Sequence, residues 1–501
     1  MLRSLLARPF AAYIVAQQKR WIERSEVVQE NTFRQLICTA KDTQFGRDHG
    51  FADIRTHDDF KKQVPLRDYE GLRPYVKQIV AGKSDVLWPG KPAYFAKTSG
   101  TTSGAKYIPL TKASLPNHIN SARDALLCYV HQTGKARFLD RNLMFLSGSP
   151  ELEETAGIPT GRLSGIVNHH VPAYLRTNQR PSYETNCIED WETKLDRVID
   201  ETMQADMSLI SGIPPWVQMY FDRLHERNDG KRIIELFPNF SLFVYGGVNF
   251  EPYRRQIFES IGKNIASIET FPASEGFFAY QNQQEDPGLL MLLNSGIFFE
   301  FVPFEDIGRE SPRRLNIGEV ELDKNYALVV NSNAGLWGYL IGDMVRFVSR
   351  KPYKVLFAGR TKHYISAFGE HVIGQEVERA LQYALAQHPE VRVREFSVAP
   401  QVTPEKGLPH HEWLVAFDAL PERPDAFAEA LDRKMCEQNV YYRDLIEGNI
   451  LQRLRVTPLQ PDAFQHYMKS KGKLGGQNKV PRLADDRSIA DPIQVWRTSE
   501  R

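Results

Sequence analysis

The chain has 501 residues, too many for one hydrophobic core, so we expect at least two domains. Hydrophobic residues at 42% and charged residues at 25% are usual for globular proteins, which excludes collagen-like, fibrous and disordered chains. Because 63 Lys and Arg residues balance 62 Asp and Glu residues, the net charge of +1 provides no overall field to attract nucleic acid or an anionic membrane.

The N-terminal segment, residues 1–16, is apolar with Arg3 and Arg8 and faintly resembles a targeting sequence. Arg8 and Pro9 interrupt the apolar run and no small-residue cleavage site follows it, so we predict an amphipathic helix packed on the body of the protein. No later run approaches the length of a membrane span, and we expect no membrane partner. Helical periodicity continues over residues 12–39, and Pro65 and Pro74 then predict short helices and loops over residues 58–75.

A loop rich in glycine and hydroxyl residues follows, with the sequence KTSGTTSGAKYIPLT at residues 97–111. It lies between strand-like runs at residues 93–96 and 107–110. Its glycines allow backbone angles that turn amide groups towards an anion, its hydroxyls are donors, and its lysine is a mobile cation. The residues concerned are Thr98, Ser99, Gly100, Thr101, Thr102, Ser103, Gly104 and Lys106. This composition is typical of a phosphate cradle, although ordinary surface loops share it.

The loop matches neither of the two commonest phosphate-binding motifs. Ala105 occupies the place of the second glycine of a Walker A loop, and no G-x-G-x-x-G sequence opens a helix after the loop. Thr111 is predicted to cap a helix that runs to Val130.

Strands alternate with helices in the middle of the chain. Strands are predicted at residues 143–146, 209–213, 241–245 and 265–269, and helices at residues 191–204 and 251–260. Residues 151–181 show no clear pattern, and the adjacent His169 and His170 are poor evidence for a metal site. Strand followed by a glycine turn and a helix favours an α/β sheet with its site at the carboxyl ends of the strands.

Further strands are predicted at residues 289–293, 298–302, 327–331, 337–347 and 355–359. Beyond residue 360, single helices at residues 374–387 and 426–438 alternate with strands, which is typical of a small α+β domain. We therefore predict a large α/β N-terminal domain with mixed sheets and flanking helices over residues 1–358. A hinge at residues 359–363 would join it to a smaller α+β C-terminal domain over residues 364–501.

Two carboxylates stand in unusual settings. Glu275 follows Ala273 and Ser274 in a predicted loop at residues 270–276, and beside a phosphate cradle it would need a cation, so it is a candidate Mg²⁺ ligand. Asp343 follows Gly342 inside an apolar strand, where its burial is costly without partners such as a ribose diol. The ordinary alternatives are a solvated loop glutamate and a surface pair between Asp343 and Arg346.

Residues 469–483, KSKGKLGGQNKVPRL, are basic and rich in glycine. Such a segment is usually a solvated tail. It is also suited to carry a lysine into the phosphate site when the small domain moves.

These pieces, in this order, resemble the adenylate-forming superfamily, and within it the auxin-responsive Gretchen Hagen family of acyl acid amido synthetases. The motifs that carry the resemblance are TSGTTSGAKYIPLT at residues 98–111, YGGVNFEPY at 245–253, FPASEGFF at 271–278, GLWGYLIGDMVRF at 335–347, FAGRTKHYISAFGEHV at 357–372 and GQNKVPR at 476–482. Together they span most of the chain.

The resemblance implies an ATP-dependent ligase in which a carboxylic acid attacks the α-phosphorus of MgATP and the amine of an amino acid then displaces AMP. Residues 99–106 would hold the phosphates, Glu275 would bind Mg²⁺, and Lys479 would stabilise the charge that develops at the α-phosphate. The other implied nucleotide-binding residues are Tyr245, Gly246, Gly247, Phe271, Ala273, Ser274, Asp343 and Arg360. In this sequence the motif at residues 271–278 begins with Phe271, Pro272 and Ala273, whereas the corresponding motif of plant members commonly begins with a Tyr-Ala-Ser type sequence.

The sequence names neither the acyl acid nor the amine, and auxin is not implied. A thioester synthetase that uses coenzyme A and a non-catalytic nucleotide-binding module remain alternatives. Cys38, Cys128, Cys187 and Cys436 form no C-x-x-C pair, so we expect no zinc knuckle and a reducing cytoplasmic compartment. We expect small-molecule partners, no nucleic acid, and a monomer or weak homodimer.

Overall fold

The computed structural model describes residues 2–98, 106–171, 176–188, 190–247, 250–307, 309–360, 364–365, 367–368, 370, 372–471, 483–484 and 486–498. Within these ranges, the helices of the first third of the chain are α1 (Leu2–Ile22), α2 (Ser25–Ala40), α3 (Gln44–Asp48), α4 (His57–Gln63), α5 (Tyr69–Val80), α6 (Leu115–Thr133) and α7 (Leu163–His169). The later helices are α8 (Tyr183–Asn186), α9 (Trp191–Met203), α10 (Pro214–Arg227), α11 (Ile233–Leu236), α12 (Glu251–Ile261), α13 (Gly374–Gln387), α14 (Pro424–Gln438), α15 (Val440–Glu447), α16 (Ala463–Ser470) and α17 (Ala490–Ile493). None of the helices in the described part of the chain is both long and apolar enough to cross a membrane.

The strands of the first half are β1 (Tyr94–Thr98), β2 (Lys106–Leu110), β3 (Asn142–Phe145), β4 (Glu153–Thr155), β5 (Ile158–Gly161), β6 (Gln179–Arg180), β7 (Met207–Ser211), β8 (Leu242–Gly246), β9 (Ala266–Ala273) and β10 (Gly276–Gln281). Those of the second half are β11 (Leu289–Met291), β12 (Ile297–Pro303), β13 (Asn325–Ser332), β14 (Tyr339–Arg350), β15 (Tyr353–Arg360), β16 (Tyr364–Ile365), β17 (Val372–Ile373), β18 (Arg392–Gln401), β19 (His410–Ala419) and β20 (Arg455–Leu459).

An 11-stranded mixed sheet forms the centre of the molecule, in the order β12-β13-β14-β15-β11-β10-β9-β8-β7-β3-β6. Along this order, the neighbouring strands β6, β3, β7, β8 and β9 pair in parallel. The strands from β9 to the other edge, β10, β11, β15, β14, β13 and β12, pair antiparallel. The parallel strands are flanked by helices and carry continuous apolar runs, as strands covered on both faces require. Their carboxyl ends meet at one edge, where ligands usually bind in α/β sheets.

Two smaller sheets complete the part of the fold that surrounds the cleft. A 4-stranded sheet in the order β2-β1-β5-β4 carries the predicted cradle between its antiparallel strands β1 and β2. The C-terminal part has a 3-stranded sheet, β18-β19-β20, covered by helices, which is the expected α+β arrangement. The predicted fold class is therefore confirmed. The division into residues 1–358, 359–363 and 364–501 stays a prediction.

The N-terminal helix and its packing on the body of the protein were predicted correctly, since Ala7 and Ala11 of α1 are buried in one cluster with Leu127 and Val130 of α6. Small side chains at these positions let the two helices approach closely. The predicted amphipathic character of α1 was wrong, because large apolar side chains of the helix are exposed, among them Leu5, Leu6 and Tyr13.

Three further local predictions were wrong. The helix after the cradle begins at Leu115 with Ser114 at its N-cap, so it starts later than predicted. The Thr111 hydroxyl accepts a hydrogen bond from the Ser114 amide and donates one to the Asn333 carbonyl. The predicted loop at residues 270–276 is strand up to Ala273, since pairing with β10 continues to that point, whereas pairing with β8 ends at Thr270. Pro74 lies inside α5 and does not interrupt it.

Candidate active site

The parallel edge of the large sheet opens into a cavity of about 3980 Å³. The loops after β3, β7, β8 and β9 line its floor, and β1, β2 and β14 contribute to its walls. The predicted site residues that line it are Lys106, Tyr245, Gly246, Gly247, Phe271, Ala273, Ser274, Glu275 and Asp343. Lys106, Glu275 and Asp343 thus line one cavity although they come from the start of β2, the turn after β9 and the interior of β14.

The predicted phosphate cradle connects the two strands of a hairpin. Thr98 of β1 lies opposite Lys106 of β2, so the cradle spans the tip between them. Ser99, Gly100, Thr101, Thr102, Ser103 and Gly104 lie outside the described residues. The Lys106 ammonium lies 5.7 Å above the Tyr69 ring centroid, and the Tyr69 hydroxyl accepts a 2.8 Å hydrogen bond from the Tyr107 amide. Tyr69 therefore holds the start of β2 at the cavity wall, a role that the sequence did not indicate.

Glu275 lies in the two-residue turn between β9 and β10. Its carboxylate accepts a 3.2 Å hydrogen bond from the hydroxyl of Tyr339, a buried residue at the start of β14. Burial, followed by the charge of Glu275, raises the pKa of Tyr339 well above its ordinary value, so this hydroxyl keeps its proton and donates it. Asn117 of α6 fixes the strand beyond the turn, bonding the amide of Phe277 at 2.6 Å and its carbonyl at 3.0 Å.

The described part of the chain contains no group of three His, Cys, Asp or Glu residues that could hold a metal ion by themselves. Magnesium in nucleotide sites commonly takes one or two protein carboxylates and completes its shell with substrate phosphates and water. Glu275 fits that requirement, because its carboxylate is oriented by Tyr339 and faces the cavity.

Glycines shape the end of β8. A Cβ at Gly246 would lie 2.3 Å from the Thr270 carbonyl oxygen, so only glycine allows β8 and β9 to approach this closely. Gly247 has a φ of +83°, a left-handed conformation that glycine adopts without strain. The ring of Tyr245 stacks on Phe250 at 4.1 Å, and burial raises the pKa of Tyr245 to about 12. The turn thus presents backbone to the cavity.

On the wall formed by β9, Phe271 lines the cavity with only part of its ring. Phe271 is 9% exposed and packs edge-on against Phe278 and Phe357 at 5.4 and 5.8 Å, so most of its ring belongs to the core. Ala273 and Ser274 are half-buried and offer the cavity a small, open surface.

Asp343 is 5% exposed and lies in β14 where the strand bends. The register with β15 shifts between Asp343 and Val345, and Gly342 has a φ of +91°. This irregularity directs a buried carboxylate to the cavity. Arg360 is the backbone partner of Asp343 in β15, while the placement of its side chain lies outside the description.

The remaining predicted catalytic residue, Lys479, lies outside the described residues, as do residues 361–363 of the predicted hinge.

Three cavity residues were missed by sequence reasoning. Tyr339 belongs to the motif at residues 335–347, but its hydrogen bond to Glu275 joins residues 64 positions apart, and nothing in the local sequence predicts it. Arg162 and Lys194 line the same cavity, and Arg162 comes from the stretch that showed no clear pattern.

The architecture has the fold of solved acyl acid amido synthetase and acyl-CoA ligase structures. The model resembles the AtGH3.15 acyl acid amido synthetase in complex with 2,4-DB with a TM-score of 0.61 and 16% identity, covering 98% of this chain and 96% of that chain. It also resembles 2-hydroxyisobutyryl-CoA ligase in the postadenylation state in complex with R3-HIB-AMP, with a TM-score of 0.51 and 14% identity, covering 94% of this chain and 92% of that chain.

Family models then define the chain more narrowly. The GH3 family N-terminal domain matches residues 15–195, the GH3 family central domain residues 290–360, and the GH3 family C-terminal domain residues 375–488. The chain belongs to the GH3 family, which confirms the resemblance drawn from the six motifs.

Two relatives illustrate the relationship. The jasmonoyl-L-amino acid synthetase JAR4 of Nicotiana attenuata is 23% identical over 390 residues, which are 64% of this chain and 66% of that protein. The indole-3-acetic acid-amido synthetase GH3.3 of Arabidopsis thaliana is 20% identical over 540 residues, which are 91% of this chain and 89% of that protein.

Proposed function

We propose that this chain is an ATP-dependent ligase that converts a carboxylic acid into its acyl-adenylate and transfers the acyl group to the amine of an amino acid. The observation that carries the proposal is that Lys106, Glu275 and Asp343, from separate parts of the chain, line one large cavity. Membership of the GH3 family, whose relatives are amino acid synthetases, supports the amide as the product.

The first half-reaction takes place at the α-phosphorus of ATP. A carboxylate oxygen of the acid forms the new P–O bond, and the bond to pyrophosphate breaks. Lys106 and the cradle would hold the leaving phosphates, and Asp343 would accept hydrogen bonds from the ribose hydroxyls. Bound at Glu275, Mg²⁺ would neutralise phosphate charge. Lys479 would stabilise the charge at the α-phosphate without a covalent step.

The second half-reaction exchanges the group on the acyl carbon. The amine nitrogen forms the C–N bond, the bond from the acyl carbon to AMP breaks, and the nitrogen gives up a proton. The products are an amide and AMP.

Pyrophosphate exchange with a panel of aryl, indolyl and alkyl acids tests adenylation. Mass spectrometry after addition of mixed amino acids, or of coenzyme A, tests the acceptor. An acyl group captured only by coenzyme A would replace the amide by a thioester, whereas ATP binding without pyrophosphate release would indicate a non-catalytic module.

Lys479 allows a sharper test. We expect Lys479→Ala to abolish pyrophosphate exchange while ATP still binds, because the lysine acts on developing charge. Lys473→Ala, from the same basic segment, is the matched control and should retain exchange. Equal exchange in both variants would contradict the role of Lys479.

The compartment is also part of the proposal. Cys38, Cys128, Cys187 and Cys436 are all free thiols in the structure, which supports a reducing compartment such as the cytoplasm. Absence of a nucleic-acid partner and a monomeric or weakly dimeric state remain expectations from the near-zero net charge and the motifs.

A further inference from the structure

A buried lysine lines the cavity beyond the nucleotide residues. Lys194 of α9 is 3% exposed, and its ammonium donates hydrogen bonds to the backbone carbonyls of Ser147 at 3.0 Å and Asn186 at 2.8 Å. Within the described part of the chain it forms no ion pair. Burial of a cation is costly unless an anion or a full set of hydrogen bonds compensates it, and an ammonium has a third proton to donate.

A second cation lies beside this lysine. Arg162 follows β5 and packs against Gly148, where an added Cβ would lie 2.9 Å from its Cδ. The Lys194 ammonium bonds the carbonyl of Ser147, the residue before Gly148, so the two cations contact the same loop. Burial and then the charge of Arg162 lower the pKa of Lys194 to about 8. Both side chains line the cavity.

The cation pair lies next to the phosphate cradle. The parallel register of β5 with β1 places Gly161 opposite Ala96, so Arg162 follows β5 close to where β1 runs into the cradle.

The C-terminal part of the chain already presents a carboxylate to this pair. Asp444 of α15 forms a 2.6 Å ion pair with Arg162, whose guanidinium lies 5.5 Å above the ring of Tyr441. The Tyr441 hydroxyl in turn donates a 3.2 Å hydrogen bond to the carbonyl of Lys97 at the start of the cradle. This ion pair uses one nitrogen of the Arg162 guanidinium, so the N–H groups on its other nitrogens can donate to a second carboxylate from the cavity side.

We propose that Arg162 and Lys194 bind the α-carboxylate of the amino acid that accepts the acyl group. The proposal rests on the proposed function. An amino acid differs from a simple amine by its carboxylate. Two cations in the same cavity can bind that carboxylate, so the enzyme would prefer an amino acid to the amine that lacks it. A purely structural role of Lys194, fastening the Ser147 loop to the end of α8, is the competing explanation.

The test compares two acceptors that differ only in the carboxylate: the amino acid that the enzyme uses best and its decarboxylated amine. In Arg162→Gln and Lys194→Met we expect the KM for the amino acid to rise about 10- to 100-fold, the range for a lost charge-assisted hydrogen bond. The KM for the decarboxylated amine should change much less. Arg162→Lys should recover part of the affinity.

Arg197→Gln is the matched control, because Arg197 is exposed on the same helix as Lys194. Pyrophosphate exchange needs no amino acid, so it separates an effect on the acceptor from loss of the fold. If Lys194→Met fails to fold, the partly exposed Arg162 carries the test alone.

Equal effects on both acceptors, or no effect on either, would overturn the proposal. Failure of the wild-type chain to form any adenylate would instead overturn the proposed function.

Discussion

The hydrogen bond between Tyr339 and Glu275 makes a quantitative prediction about magnesium. Tyr339→Phe removes only the hydroxyl, in a residue that is 1% exposed and whose ring fills the same volume after the change. The lost bond, 3.2 Å long, has a charged acceptor, and such bonds contribute about 1.5–3 kcal/mol. Since 1.4 kcal/mol is tenfold in an equilibrium constant, we expect the half-saturating Mg²⁺ concentration to rise by about 10- to 100-fold.

The assay is pyrophosphate release at saturating ATP and acid, titrated with Mg²⁺, together with thermal unfolding of each variant. Tyr326→Phe is the matched control, because Tyr326 is equally buried in β13 and its hydroxyl bonds the Glu321 amide, away from Glu275. The free energy of unfolding should fall by about 1.5–3 kcal/mol in Tyr339→Phe and by about 1 kcal/mol in Tyr326→Phe. An unchanged Mg²⁺ dependence in Tyr339→Phe would refute Glu275 as the oriented metal ligand.

Three further changes should act at defined places. Gly246→Ala should destabilise the protein by about 1–3 kcal/mol and weaken ATP binding, because the methyl group would push β8 from Thr270. Asp343→Ala should raise the KM for ATP about tenfold and reduce the preference for ATP over 2′-deoxy-ATP. Glu300 is buried, and its carboxylate oxygens accept hydrogen bonds from Arg314 at 2.9 and 2.7 Å. Glu300→Gln leaves that cation buried without its anion, so the free energy of unfolding measured with denaturant should fall by roughly 3 kcal/mol.

The Glu300 pair also predicts a pH dependence. Burial alone would raise the pKa of Glu300, but Arg314 and His57 outweigh it and hold that pKa at about 2, below the ordinary 4.5. A lowered carboxyl pKa stabilises the folded state above pH 4.5, and this stability is lost as the pH falls from 4.5 towards 2. Glu300→Gln should lose less stability over that interval. If Glu300→Gln and the wild-type protein lost stability identically between pH 4.5 and 2, the role of the Glu300 charge would be wrong. An unchanged nucleotide preference in Asp343→Ala, or full stability of Gly246→Ala, would contradict the corresponding prediction.

Local chemistry explains why the sequence predicted so much of the cleft. Glycine, hydroxyl and charged residues in short loops have few structural roles, so Lys106, Glu275 and Asp343 could be singled out before their distances were known. Strand and helix periodicity gave the alternation of the α/β sheet. The predicted loop at residues 270–276 was wrong because a hairpin with β10 extends the strand to Ala273. At Thr111, a hydrogen bond to the distant Asn333 carbonyl has no signal in the local sequence.

By itself, the sequence determined the family, the fold class and the residue types available for binding a nucleotide. Tertiary structure alone decided which distant groups act on one another. Tyr339 orients Glu275 because β14 passes beside the turn after β9, and Arg162 meets Lys194 and Asp444 because three separate elements converge on one cavity. Periodicity and composition record what each segment is. Contacts between segments depend on how the sheet orders its strands, which no short stretch of sequence contains.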